Sequence, residues 1–198
     1  MLSVSKIGSA GGAADYYGKD DYYVTGEADA PGVEWKGKGA AQACLSGTAT
    51  PAQFREVLSG AHPVLQDPDR AAKPDEKHRP GWDMTFSAPK SVSLAYLVGG
   101  DDRLVAAHRA AVDRAMAYAE KYFAVTRVRD KGQLREVRTG NLVYASTEHT
   151  TSRKGDPQLH THNVVANATW DEKAGKFRAL ESLHLFKNMK LLGAVYRA

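Results

Sequence analysis

Three histidines in the second half of the chain have the spacing of a metal site. His160 and His162 are separated by one residue, and on a β-strand that spacing puts both side chains on one face, about 6–7 Å apart. The β-branched and apolar residues around them favour a strand. A second strand candidate ends near His149, and a turn at 154–155 would place His149 directly opposite His160. The sequence therefore predicts three imidazoles that converge on one point.

Three imidazoles would leave coordination positions open, which is typical of a catalytic metal site and not of a closed structural one. The alternative is a surface hairpin whose histidines bind nothing, and for an isolated His-x-His pair that is the more common case. Pro157 is awkward inside the second strand and predicts a bulge or a sheet edge there.

Tyrosines cluster near the N-terminus in two pairs. Tyr16, Tyr17, Tyr22 and Tyr23 are four of the nine tyrosines of the chain. Packing in a core with the hydroxyl reaching water explains such residues without any chemistry. The functional interpretation is that one tyrosine hydroxyl is a nucleophile. A tyrosine with a pKa of about 10 is only about 0.1 % ionised at pH 7, so such a nucleophile needs a nearby base or cation. A metal ion on three neutral histidines would keep its full charge and could stabilise an attacked phosphate.

Asp83 is the candidate helper, because the alternation of residues 82–86 separates it from its apolar neighbours. It could accept the tyrosine proton or orient a ligand histidine. Its alternative roles are capping a turn or pairing with an arginine. Lys90 and Arg153 are weaker candidates for phosphate contacts, since such side chains are usually solvated.

Composition sets the class of protein. The chain has 198 residues, 42 % of them apolar and 25 % charged, which fits one globular domain. No apolar run reaches the roughly 18 residues of a membrane span, and no signal peptide is apparent, so we expect no membrane insertion. A single cysteine excludes an internal disulfide and fits a cytoplasmic protein. The net charge of +4 is compatible with nucleic-acid binding but weak evidence for it.

Hydrophobic periodicity and turn residues predict alternating helices and strands. Thr50 and Pro51 begin a helix that Gly60 ends, and the amphipathic C-terminal stretch stops at Ala198 in mid-pattern, so we expect a C-terminally truncated domain. Residues 127–138 look basic and turn-like. The remaining predicted elements are a strand at 82–86, a helix to about 98 capped within 87–89, a helix at 101–123, strands at 141–150 and 159–169, and helix from 182 onward.

Four stretches together resemble the conjugative relaxases of the TrwC/TraI type, the MobF class of HUH nucleases. They are the N-terminal tyrosine pairs, DMTFSAPKSVSL at 83–94, HTTSR at 149–153 and DPQLHTH at 156–162. Weaker matches are WKGKGA at 35–40 and LGAVY at 192–196. The resemblance runs over nearly the whole chain in the same order, which makes it far more specific than an isolated His-x-His pair.

The resemblance implies an α+β fold with helices packed on an antiparallel β-sheet, formed by a relaxase domain over residues 1–198. It implies that His149, His160 and His162 hold a divalent ion, for which we expect Mg²⁺ or Mn²⁺, while Zn²⁺ or Ni²⁺ could occupy the site in a crystal. Tyr16 would be the main nucleophile, with Tyr17 and the pair Tyr22–Tyr23 as accessory ones and Asp83 beside them.

The implied reaction is transesterification of single-stranded DNA at a transfer origin, leaving a 5′-phosphotyrosyl link and a free 3′-hydroxyl. The implied partners are accessory proteins of the relaxosome and the coupling protein of a type IV secretion system, in the cytoplasm of a bacterium that carries the gene on a plasmid or other mobile element. Relaxase domains of this class are usually longer and often precede a helicase.

Three other functions remain open from the residues. A rolling-circle replication initiator shares the chemistry but usually has its tyrosine after the histidine motif. A three-histidine hydrolase would activate water and would not need the tyrosines. A DNA-binding module without catalysis would use the basic segments 127–138 and 187–197.

Overall fold

The structure, a computed structural model, describes residues 1–17, 32–66, 78–152 and 154–198, with the backbone alone for residues 14–17. The strands are β1 (Leu2–Lys6), β2 (Glu34–Lys36), β3 (Gly81–Ser87), β4 (Val125–Asp130), β5 (Gln133–Arg138), β6 (Tyr144–Thr151), β7 (Pro157–Ala166), β8 (Thr169–Asp171) and β9 (Lys176–Arg178). The helices are α1 (Ala10–Tyr17), α2 (Lys38–Gln42), α3 (Pro51–Ser59), α4 (Lys90–Leu97), α5 (Arg103–Phe123), α6 (Leu183–Lys187) and α7 (Met189–Arg197), with a 3₁₀ turn at Pro63–Leu65.

Five strands form the main sheet in the order β1-β3-β7-β6-β2, and every neighbouring pair is antiparallel. The strand β7 is therefore central, between β3 and β6. Two hairpins, β4–β5 and β8–β9, form separate two-stranded sheets. The expected α+β class with helices on an antiparallel sheet is confirmed.

The sheet is covered on both faces by apolar side chains. On one face Val164 and Ala145 belong to a core that includes Ala13 of α1 and Phe54 of α3. The opposite face packs against α5 and α7 through a second core, which includes Trp82, Met84, Phe86, Met116 and Leu192. Because side chains of a strand alternate between faces, the same strands can supply both cores.

Local signals in the sequence were confirmed at α3. Thr50 and Gln53 form a reciprocal capping box, Pro51 lies in the first turn, and Gly60 ends the helix with φ +73°. The helix predicted after residue 87 begins at Lys90, with Pro89 and not Ser87 at its N-cap. In the described ranges no helix is both long and apolar enough to cross a bilayer.

The segment 127–138 is a β-hairpin and not a turn-like region, so that prediction was wrong. Lys131 and Gly132 both have positive φ, +47° and +84°, as a two-residue type I′ hairpin turn requires. Most residues of the hairpin are exposed, so it lacks the alternation of apolar and polar residues by which strands are identified in a sequence. The strand β1 was not predicted either.

The stretch WKGKGA at 35–40, which resembles the relaxases, makes close backbone contacts with the segment before β6. Gly37 has φ +93°, a conformation that L side chains rarely adopt, and the Gly39 N–H donates to the Leu142 carbonyl at 3.0 Å. The buried Glu120 carboxylate accepts from the N–H groups of Lys38 (2.7 Å) and Leu142 (2.9 Å). These contacts hold α2 against the segment that leads into β6.

Candidate metal centre and active site

Pairing of β3, β7 and β6 sets the candidate site. His149 lies opposite His160, as the turn at 154–155 predicted, and the register shifts between His149 and Thr151 where Pro157 begins β7. Three consecutive cross-strand rows result: Ser87–His160–His149, Phe86–Thr161–Glu148 and Thr85–His162–Thr147. The first and third rows share one face, which we call the histidine face, and the middle row points to the opposite face.

The three imidazoles converge as expected. One ring nitrogen of each histidine lies within 4.8 Å of those of the other two. Ring centroids are 5.3 Å apart for His149 and His160, 5.2 Å for His149 and His162, and 5.0 Å for His160 and His162. His149 is half-buried and His162 is buried, so the cluster is partly exposed. This donor set suits a divalent ion with open coordination positions.

Hydrogen bonds to the Nδ1 atoms determine which nitrogen faces the cluster. The His162 Nδ1–H donates to Asp83 Oδ2 at 2.7 Å, and the Thr85 hydroxyl donates to the same oxygen at 3.0 Å. The His160 Nδ1–H donates to the Gln158 carbonyl at 2.8 Å. Because a neutral imidazole carries one proton, Nε2 of both rings keeps its lone pair. This is the usual arrangement around a metal-binding histidine.

Asp83 is buried on the histidine face, two rows beyond His162 and opposite Val164. Of the two roles expected for this carboxylate, its contact with His162 supports the orienting one. Its hydrogen bonds to His162 and Thr85 stay within the sheet, whereas the sequence left an arginine partner open. Thr85 was not singled out from the sequence, although it lies two residues from Asp83 on the same strand face.

The pairing of β7 with β3 ends at Ser87, opposite His160. Beyond that point, side chains of α4 form hydrogen bonds with the backbone of β7. The Leu159 N–H donates to Ser93 Oγ at 3.0 Å, and Ser93 is fully buried. Lys90 Nζ donates to the Pro157 carbonyl at 3.0 Å. Lys90 therefore contacts protein backbone, whereas the sequence suggested a phosphate contact, and Ser93 is a residue that the sequence did not reveal.

The helix α1, which ends with the first tyrosine pair, packs on the core of the histidine face. Its residues Ala10 and Ala13 pack on the core of that face, and its backbone ends at Tyr17. For Tyr16 and Tyr17 only the backbone is described, while Tyr22, Tyr23 and Arg153 lie outside the described residues. The assignment of a nucleophile among the four tyrosines remains a prediction.

Residues 10–198 match the protein family described as TrwC relaxase, so the match leaves out only the first nine residues. The chain belongs to the TrwC relaxase family. Its resemblance to the TrwC/TraI type, noted from short stretches of sequence, is thereby confirmed over the length of the fold.

Relatives of the TrwC relaxase family include longer proteins. The chain is 44 % identical to the multifunctional conjugation protein TraI of Escherichia coli strain K12 over 207 residues, which cover 100 % of this chain and 11 % of TraI. The chain thus spans about a tenth of the length of that curated relative.

Solved TrwC structures share the fold. A metal-bound structure of the conjugative relaxase TrwC in complex with OriT DNA has a TM-score of 0.84 and 44 % identity, covering 99 % of this chain and 66 % of the TrwC chain. TrwC complexed with a 27-mer DNA that comprises the recognition hairpin and the cleavage site has a TM-score of 0.82 and 41 % identity, covering 99 % and 65 %. A divalent metal at the histidine cluster is supported by its donor set together with the metal-bound relative.

Proposed function

We propose that this chain is the catalytic part of a DNA relaxase, which cuts one strand at a plasmid transfer origin and stays covalently attached to it. The observation that carries the proposal is the convergence of three imidazoles on the sheet face that also packs α1, the helix ending in Tyr16 and Tyr17. Family membership and the DNA named for the TrwC structures support it.

The proposed reaction exchanges one phosphodiester for another. The hydroxyl oxygen of Tyr16 attacks the scissile phosphorus, the bond from phosphorus to the 3′-oxygen breaks, and the tyrosine becomes linked to the 5′-phosphate. The proton lost by Tyr16 is balanced by the proton that the leaving 3′-oxygen gains. Because the new ester keeps the bond energy, the reverse reaction can rejoin the strand. Tyr17, Tyr22 and Tyr23 are proposed accessory nucleophiles.

His149, His160 and His162 would hold the divalent ion, whose positive charge polarises the phosphodiester and stabilises charge on the attacked phosphate. Asp83 orients His162 through their hydrogen bond. Mg²⁺ and Mn²⁺ are the expected working ions. Imidazole nitrogens nevertheless suit later transition ions better than Mg²⁺, so we expect Zn²⁺ or Ni²⁺ to bind more tightly than Mn²⁺, and Mn²⁺ more tightly than Mg²⁺.

Single-stranded DNA at the transfer origin is the proposed substrate, and the β4–β5 hairpin is a proposed contact. Its basic side chains are Arg127, Arg129, Lys131, Arg135 and Arg138. Arg127 and Arg135 form ion pairs with Glu181 and Asp130, which leaves Arg129, Lys131 and Arg138 as the stronger candidates for phosphate. We also propose that the protein acts in the cytoplasm, together with relaxosome accessory proteins and a type IV coupling protein. Residues 1–198 would act within one relaxase domain.

A covalent-adduct assay tests this function. The protein is incubated with Mn²⁺ and a fluorescent single-stranded oligonucleotide library with a randomised centre, then separated under denaturing conditions. We expect a labelled protein band that disappears in His160→Ala and His162→Ala but persists in His184→Ala, a surface histidine paired with Glu136. Cut DNA without any labelled protein would instead support the three-histidine hydrolase.

A further inference from the structure

A buried chain of hydrogen bonds lies directly behind the histidine cluster. The row Phe86–Thr161–Glu148 separates the rows of His160 and His162 and faces the opposite side of the sheet. There the Thr161 hydroxyl and His108 Nε2 are 2.8 Å apart, and His108 Nδ1 and the Tyr196 hydroxyl are 2.7 Å apart. Thr161, His108 and Tyr196 are all buried. Hydrogen bonds thus connect β7 to α5 and α7 at Thr161, the residue between the candidate ligands His160 and His162.

Burial keeps this chain of hydrogen bonds in one arrangement. It lowers the pKa of His108 to about 4, so the imidazole is neutral near pH 7 and has one donating and one accepting nitrogen. Each of its two nitrogens has a hydroxyl partner, so the buried polar groups are satisfied. A fully satisfied buried network favours a single packing arrangement over alternatives.

Neighbouring contacts fix the same row at its other two positions. The Tyr196 ring packs on Phe86, with centroids 5.4 Å apart, and on the edge of His108 at 5.6 Å. Arg109, next to His108 on α5, forms two hydrogen bonds with Glu148 at 2.9 and 2.8 Å. Tyr196 belongs to the stretch at 192–196 that resembles the relaxases and that the proposed chemistry leaves without a role.

We propose that His108 is a positioning residue, which together with Tyr196 holds Thr161 so that the rings of His160 and His162 converge. Adjacent residues of a strand share their backbone, so a displacement at Thr161 redirects the side chains on both sides of it. The inference rests on the proposed metal-binding function of the histidines. It assigns α7 a part in forming the site, although this helix packs on the opposite face of the sheet.

Two conservative variants test this role. Thr161→Val keeps the shape of the side chain and removes its hydroxyl, and Tyr196→Phe keeps the ring against Phe86. The matched control is Thr126→Val, which also removes the hydrogen bond of a buried hydroxyl, to the Ala179 carbonyl at 2.8 Å, but lies in the separate β4–β5 sheet. Titration calorimetry with Mn²⁺ measures the affinity of each metal-free protein.

We expect Thr161→Val and Tyr196→Phe each to weaken Mn²⁺ binding about tenfold, the lower end of what outer partners of metal ligands contribute. Since both act through His108, the double variant should weaken binding by less than the product of the two effects. Thr126→Val should bind as the unchanged protein does. Wild-type affinity in both test variants, or an equally weakened affinity in Thr126→Val, would overturn the inference.

A second measurement separates this inference from the proposed function. Nitrogen-15 NMR of the histidine rings in the metal-free protein reports their tautomers and order without any ion. Thr161→Val should change the signals of His160 and His162 and leave those of His184 unaltered. If the unchanged protein bound no Mn²⁺, the metal function would fail, and unaltered His160 and His162 signals in Thr161→Val would still refute the positioning role.

Discussion

The Nδ1–H of His162 donates to Oδ2 of Asp83 over 2.7 Å, and both side chains are buried. This hydrogen bond selects the tautomer in which Nε2 of His162 faces the other two imidazoles. It also joins residues 79 positions apart in the chain, so the pairing of β3 with β7 is part of the site itself.

Replacing Asp83 should therefore lower the affinity for the metal more than it lowers the stability of the fold. For Asp83→Ala we expect Mn²⁺ affinity to fall by about 10- to 100-fold, because outer partners of metal-bound histidines contribute on that order. Asp83→Asn keeps an oxygen acceptor and should have a smaller effect. Titration calorimetry measures both, and equal Mn²⁺ affinity in Asp83→Ala and the unchanged protein would show that the carboxylate does not orient a ligand.

Ser93 should contribute mainly to stability. Ser93→Ala leaves the buried Leu159 N–H without its acceptor, which costs about 1–3 kcal/mol in free energy of unfolding. Ser91→Ala, on the exposed side of the same helix, should change it by less than about 0.5 kcal/mol. Urea denaturation compares the two. Equal midpoints for Ser93→Ala and Ser91→Ala would contradict this account of α4.

His108 should make stability depend on pH. Burial is the largest cause of its lowered pKa, about 4 against 6.5, and the charges of His160 and Arg109 lower it further while Glu148 opposes them. As the pH falls, His108 is therefore protonated in the unfolded chain before it is protonated in the folded protein. The contribution of the neutral, buried His108 to stability is complete above about pH 6.5 and disappears as the pH falls towards 4. An NMR titration of the His108 ring measures the pKa directly, and a value near 6.5 would refute the prediction.

Several features of the site were predictable because they depend on local rules. The period of two along a strand placed His160 and His162 on one face, and a turn at 154–155 placed His149 opposite His160. Thr50 and Pro51 likewise determine where α3 begins, and Gly60 determines where it ends. Each of these signals lies within one segment or one hairpin.

Other features depend on contacts that a sequence does not display. His108 meets Thr161 and Tyr196 only when α5, β7 and α7 pack together, across separations of 53 and 88 residues. Ser93 accepts the Leu159 N–H beside the point where the pairing of β3 with β7 ends. The β4–β5 hairpin escaped prediction because its exposed strands carry no apolar face, although Lys131 and Gly132 formed a turn signal.

The β4–β5 hairpin should contribute charge and not shape to DNA binding. Replacing Arg129 and Lys131 by glutamine should weaken binding of a single-stranded oligonucleotide. The slope of log K against log salt should become shallower by about 0.7 for each phosphate that the protein no longer neutralises. Mn²⁺ affinity should stay unchanged, since the hairpin is a separate sheet. Fluorescence anisotropy at several salt concentrations tests this, and an unaltered slope would exclude the hairpin from the interface.

Mapping the covalent bond tests the central claim most directly. After incubation with Mn²⁺ and the oligonucleotide library, the protein is digested with nuclease and trypsin, and mass spectrometry locates any attached nucleotide. We predict a 5′-phosphotyrosyl residue at Tyr16 that is absent from Tyr16→Phe and from the double variant His160→Ala/His162→Ala. Cleaved DNA with free 5′-phosphate ends and no nucleotide on any tyrosine would contradict the account.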